Sequence, residues 1–239
     1  AFQSAGWLTH APHKPREGQP PQKSALRKII THPLTAEVDW TLICDVDEFL
    51  VLHHHETIAG LIGPAPHDFM AMVFNWKCFG QGEWDRYQDG IVHRQFRRCG
   101  MGHLPMNRPF KTLLRNPTDW NRLGAHFPHG FRGDWAAHDS RVVTPSGTPL
   151  PQFNAPENHP IRFLEKEQID HETAQMNHYI IRAKESYDHK RDVLTAAGFK
   201  LRYTDEFYNR YNRNGMRDVT AARFQDRFAA MHAKALELP

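Results

Sequence analysis

Hydrophobic positions fall in short runs set between polar, proline- and glycine-rich stretches, and the runs predict both strands and helices. Ala1 to Pro21, rich in Pro, Gly and His, reads as an irregular arm. From Gln22 to His32, Ala25, Leu26, Ile29 and Ile30 recur at helical spacing, and Pro33 is expected to stop that helix. Trp40 to Cys44 reads as a buried strand. Glu56 to Ile62 predicts a short helix closed by Gly63 and Pro64. Phe69 to Phe74 predicts a second strand, apolar without alternation, as when both faces are covered. Asn75 to Gly102 is polar, Gly-rich and aromatic, the character of a long functional loop. Phe110 to Leu114 predicts another strand.

Asn116 to Pro160 is rich in turn residues, with a hairpin expected around Pro145 to Gly147. Met176 to Ile181 reads as a strand or a sharp return into a site. Three helical patterns follow, over Lys184 to Ala197, Thr204 to Tyr211 and Val219 to Leu238. In the last, Ala222, Phe224, Phe228, Met231 and Ala235 share one stripe, which reads as a core face. The pattern predicts an α/β fold, a mixed sheet flanked by helices. Its expected parts are an arm (1–21), a core (22–182) and a helical C-terminal region (183–239).

Composition narrows the class. Of 239 residues, 40% are hydrophobic and 24% charged, the balance of a water-soluble globular domain. The net charge of +3 does not argue for nucleic acid as a partner. Three cysteines without metal-type spacing (Cys44, Cys78, Cys99) point to a reducing compartment, and no apolar stretch is long enough for a transmembrane segment. The expected location is therefore cytoplasmic, free or peripheral to the inner membrane. The chain opens at Ala1 rather than Met, and its first strongly patterned strand begins near Trp40, so it is expected to be the C-terminal part of a longer protein. The 17 histidines include a tract, His53 to His55, which reads either as a transition-metal ligand or as a solvated loop.

The chemistry concentrates at Trp40 to Leu52, where an apolar run ends in Asp45, Asp47 and Glu48 and a second apolar run follows. Carboxylates are seldom buried without a cation. On an extended chain Asp45 and Asp47 point to the same side, half of a site for Mn²⁺ or Mg²⁺, which in turn hold phosphates. His178, within Met176-Asn177-His178-Tyr179, either completes the metal shell with Asp47 or is a hydrogen-bonded structural histidine. Lys184, Lys190 and Arg191 either neutralise a diphosphate leaving group or form a solvated face. Lys111, in Phe110-Lys111-Thr112, is a further candidate to face phosphate or acceptor. Trp76, Phe79, Trp84 and Tyr87 crowd one loop with Glu83 and Asp85, an arrangement that suits a sugar ring and its hydroxyls.

Together these residues resemble the bacterial glycosyltransferase family 2-like proteins, the group related to family 92. The resemblance spans about Gln22 to Arg191. It is carried by Ala36-Glu37-Val38-Asp39-Trp40 leading into Asp45-Val46-Asp47-Glu48-Phe49, by Trp76-Lys77-Cys78-Phe79-Gly80, by Phe110-Lys111-Thr112-Leu113, and by Asn177-His178-Tyr179 with Lys190-Arg191. It implies a partial GT-A-type fold and transfer of a sugar from a nucleotide-sugar donor, most readily UDP-linked, to a glycan or other hydroxyl acceptor. Asp47 would be the direct Mn²⁺ or Mg²⁺ ligand, Asp45 would contact donor ribose or metal-bound water, and His178 would lie near metal and diphosphate. The chain departs from the pattern at its front, where the family's base-binding strand–helix units have no counterpart. Inverting chemistry needs a base, for which Glu83 and Asp85 are the candidates.

Two other readings stand beside it. A phosphatase of the haloacid-dehalogenase type also places Asp-x-Asp after an apolar strand, but Glu48-Phe49 replaces its usual Gly-Thr and no later Asp-Asp pair occurs. A non-catalytic carbohydrate- or metal-binding fragment is the third reading, separable from a transferase by donor hydrolysis.

Overall fold

A computed structural model describes residues 2–154 and 161–237 of the protein. The strands are β1 (Trp40–Leu42), β2 (Glu48–Leu52), β3 (Ala71–Cys78), β4 (Arg98–Cys99), β5 (Phe110–Arg115), β6 (Trp120–Arg122), β7 (His129–Phe131), β8 (Val142–Val143), β9 (Ala174–His178) and β10 (Met216–Arg217). The helices are α1 (Pro21–Ile29), α2 (Pro33–Ala36), α3 (Ile58–Ile62), α4 (Val92–Gln95), α5 (Lys184–Asp188), α6 (Asp205–Tyr211) and α7 (Gln225–Leu236). A six-stranded mixed sheet forms the centre, in the order β1-β5-β3-β9-β2 with β8 beside β3. The architecture is α/β, as the pattern predicts. β3 runs parallel to β8 and β9, while β1–β5, β3–β5 and β2–β9 are antiparallel.

Period-two alternation sorts the strands into two faces. Leu52, Met72, Phe74, Trp76, Leu113 and Met176 project to one, where Tyr187, Tyr211 and part of the helical C-terminal region cover them. Val73, Phe110, Leu114 and Val142 project to the other, onto Trp120, Phe127, Leu150 and Phe153. Trp120 is fully buried there and packs edge-on against Phe127 at 5.5 Å.

Several boundaries differ from the pattern, each for a physical reason. β1 pairs only with β5 and lies at the sheet edge, so its residues are half-buried rather than buried. β3 continues past Phe74 to Cys78, taking in the start of the expected loop. Polar residues continue this buried strand because they find partners: Asn75 Nδ2 donates to Arg108 O (3.2 Å), and Lys77 Nζ lies 3.9 Å from Asp218. Pro33 does not merely end a helix; it opens α2, whose Leu34 N–H donates to His32 Nδ1. Thr57 caps α3, and Gly63 closes it with φ +72°, a conformation that suits a residue without Cβ. The hairpin at Pro145 to Gly147 is present, with Thr144 N–H donating to Thr148 O and Gly147 at φ +83°. The expected helix over Lys184 to Ala197 is helical only to Asp188. Residues 155–160 and Leu238, at the ends of two expected segments, lie outside the described residues. Of the expected stripe, Phe224 packs against the core from the turn before α7, but on α7 itself Phe228 and Met231 are exposed.

Candidate functional site

Strand register brings the chemistry to one sheet face. Lys111 pairs with Phe74, and Glu48 pairs with His178, which also lies opposite Cys78. Phe74 and Cys78 project to the same face, so alternation alone places Lys111, Glu48 and His178 there together.

The acids themselves lie on a turn, not on extended chain. Glu48 N–H donates to Asp45 O (3.0 Å), closing a turn with Val46 and Asp47 at its tip. This overturns the expectation of two same-side carboxylates, and the two aspartates take different partners. Asp45 Oδ2 accepts from Lys111 Nζ at 3.0 Å, and its Oδ1 accepts from Gln22 Nε2 of α1 at 2.7 Å. Asp47 Oδ1 lies 3.8 Å from His178 Nε2. The Asp47 carbonyl accepts from Tyr179 N–H, tying the turn to the end of β9.

Lys111 is completely buried, and so is the side chain of Glu48, 2.8 Å away. Burial alone would lower the Lys111 ammonium, but the charges of Glu48 and Asp45 outweigh it and hold the group above its ordinary value. Burial pushes the Glu48 carboxyl up, and Lys111 and the Asp45 backbone N–H pull part of that back. The pair is unevenly matched because Lys111 has two carboxylates, whereas Glu48 Oε1 is buried without a hydrogen-bond partner. Lys111 therefore faces inward, against the expectation that it meets phosphate or acceptor.

The His178 ring lies 4.1 Å from that of Trp76, tilted by 54°, and burial, followed by the Arg202 charge, pushes its imidazole well below its ordinary value. It is neutral at pH 7, so its approach to Asp47 is not an ion pair; at 3.8 Å it is not a hydrogen bond either. Its Nδ1 is buried without a partner. Lys190 Nζ sits 5.5 Å from the Tyr203 ring. Burial, and then Arg182, lowers the Lys190 ammonium, while Asp47 pulls it the other way.

Asp47 and His178 are near enough to each other that both could touch one cation, as a two-point attachment. Two donors on one ion can lie no further apart than twice the bond length, about 4.2 Å for bonds of about 2.1 Å. Their 3.8 Å falls inside that limit. Among the described residues no group of three or more His, Cys, Asp or Glu is placed to share an ion, so other positions would fall to water or ligand oxygens.

The other sequence candidates lie elsewhere. Arg191 pairs with Asp188 and Asp205, and Lys184 with Asp188, so both cations are engaged on the surface. Glu83 and Asp85 are exposed; Asp85 accepts from Gln81 Nε2, and among the described residues neither is bonded to Asp47 or His178. His53 to His55 form a surface bend after β2, with His53 Nδ1 bonded to Glu172 O. Sequence reasoning missed three contributors: Gln22, Arg202 and the buried role of Glu48. An acid between an Asp and an apolar strand was a signal for Glu48; nothing local marks the other two. No protein-family model and no curated protein matches the chain.

Proposed function

We propose that the protein carries the metal-binding part of a glycosyltransferase that moves a sugar from a nucleotide-sugar donor to a hydroxyl acceptor, on a sheet of partial GT-A type. The observation that supports this best is the pairing of the Asp47 carboxylate with a neutral His178 imidazole, 3.8 Å apart, at the tip of the acidic turn. A carboxylate and a neutral nitrogen suit Mn²⁺, and oxygen-rich Mg²⁺ less well. When bound, such an ion stabilises negative charge on a departing diphosphate.

The chain's own residues have distinct parts. Asp47 and His178 hold the ion. Lys190, half-buried and within reach of the Asp47 charge, would supply a cation for the same anionic group. Lys111 and Gln22 hold Asp45, and so fix the turn that presents Asp47. Asp45 therefore acts in this reading by positioning its neighbour.

Titration calorimetry with Mn²⁺, with and without UDP, tests the reading on the chain and on Asp47→Asn. The expected result is Mn²⁺ binding that UDP strengthens and that Asp47→Asn weakens at least tenfold. Binding indifferent to Asp47 would place the metal at the His53 to His55 bend and overturn the assignment.

A further inference from the structure

The arm and α1 border an open, shallow groove of about 580 Å³ whose lining includes His13, Lys14, Arg16, Ser24, Arg27 and Lys28. No Asp or Glu is among the residues that line it. The arm is pinned to the helix there: the His13 ring bonds Ser24 Oγ at 2.9 Å, and Ser24 Oγ donates to Gln19 Oε1. Lys14, Arg16, Arg27 and Lys28 are all exposed along this concavity.

The charge is concentrated rather than incidental. Residues 1–32 hold five Lys or Arg (Lys14, Arg16, Lys23, Arg27, Lys28) and one acid, Glu17, for a net +4. The whole chain carries +3, so everything after residue 32 sums to −1. Arg27 and Lys28 gain from standing in the last turn of α1, where the helix dipole favours cations. The arm then adds two more cations to the same concavity; water and salt screen much of the repulsion among these exposed groups, and a bound anion would relieve the rest.

We propose that this groove is an anion site, separate from the residues around Asp47, for a ligand that carries two or more phosphate groups in a compact frame. Four cations call for several negative charges within about 580 Å³. Linked phosphates supply that density in one small molecule, whereas a carboxylated glycan would need several sugar units to match it. Arg16 and Arg27 add the planar fork that pairs two donors with a phosphate. The same chemistry comes from soluble polyphosphate compounds and from phospholipid headgroups. The site does not depend on the transferase reading.

The test titrates inorganic tripolyphosphate into the chain, the double variant Arg16→Gln/Arg27→Gln, and Lys190→Gln. Tripolyphosphate should bind the chain more weakly as salt rises. It should bind the double variant at least tenfold more weakly and Lys190→Gln within twofold of the chain. The replaced side chains are exposed, and an unchanged melting temperature confirms that the double variant folds. A parallel arm sediments each protein with vesicles of cardiolipin or of phosphatidylcholine alone. Cardiolipin binding without tripolyphosphate binding, lost in the double variant, identifies a lipid headgroup as the source and upholds the site. The proposal is overturned if neither probe binds the chain, or if the double variant binds both as tightly as the chain does.

Discussion

Lys111 is the residue on which the acidic turn depends. Its ammonium has no exposure and meets two carboxylates at 2.8 and 3.0 Å. Removing one partner of a buried pair leaves the other charge uncompensated, which costs about 3–5 kcal/mol. Lys111→Met should therefore lower stability by roughly that amount in urea unfolding. Adding Glu48→Leu should recover most of it, since an apolar pair needs no counter-charge. A Lys111→Met protein as stable as the parent would show that the pair contributes nothing. At this scale the sequence was partly readable. An acid cluster between apolar runs announced that the acids matter, but not that a turn would separate Asp45 from Asp47. Lys111 sits in an apolar strand, so its burial was foreseeable; its partners, Asp45 and Glu48, lie more than sixty positions away and only register brings them close.

Elements were legible where local rules act alone. The Gly63 closure and the Pro145 to Gly147 hairpin each follow from backbone preferences of a few residues, whereas the start of α3, set by the Thr57 cap, fell two residues later than the pattern put it. They were less legible where tertiary partners decide. β3 extends through Asn75 and Lys77 because distant groups satisfy them, and no periodicity carries that information. α7 fails in the other direction. Its stripe has the spacing of a buried face, yet the helix is met chiefly by the preceding turn, Thr220 to Phe224, and by an edge contact of Phe228 with His93. Met231 is 54% exposed. Met231→Glu should consequently change stability by less than about 0.5 kcal/mol, as surface substitutions do. A larger loss in denaturant unfolding would mean that the stripe is packed after all.

Over the whole molecule, buried His178 and half-buried His171 set an acid limit. Burial, then the Lys77 charge, pushes His171 down to about 4, and His178 lies well below its ordinary value for a similar reason. Unfolded, both titrate near 6.5. Between about 6.5 and about 4 the unfolded chain takes up protons that the folded chain refuses, so stability falls as pH falls through this window. Glu48, shifted upward, offsets part of the loss at the acid end. Urea midpoints should drop steadily from pH 7 to pH 5, and His171→Gln should flatten the slope. Equal midpoints across that range would show that the histidines are not held neutral. Sequence composition showed 17 histidines but could not tell which are buried, because burial belongs to the assembled sheet.

One hydrogen bond reaches further than its 2.7 Å. Gln22 opens α1 and holds Asp45, while Arg27 and Lys28, at the other end of the same nine-residue helix, line the groove. An occupant of the groove that shifts α1 would be felt through this bond at the turn carrying Asp47, and such linkage runs both ways with equal free energy. If a polyphosphate tightens cation binding by some factor, the cation must tighten polyphosphate binding by the same factor. Cutting the Gln22 amide should shrink that factor toward one.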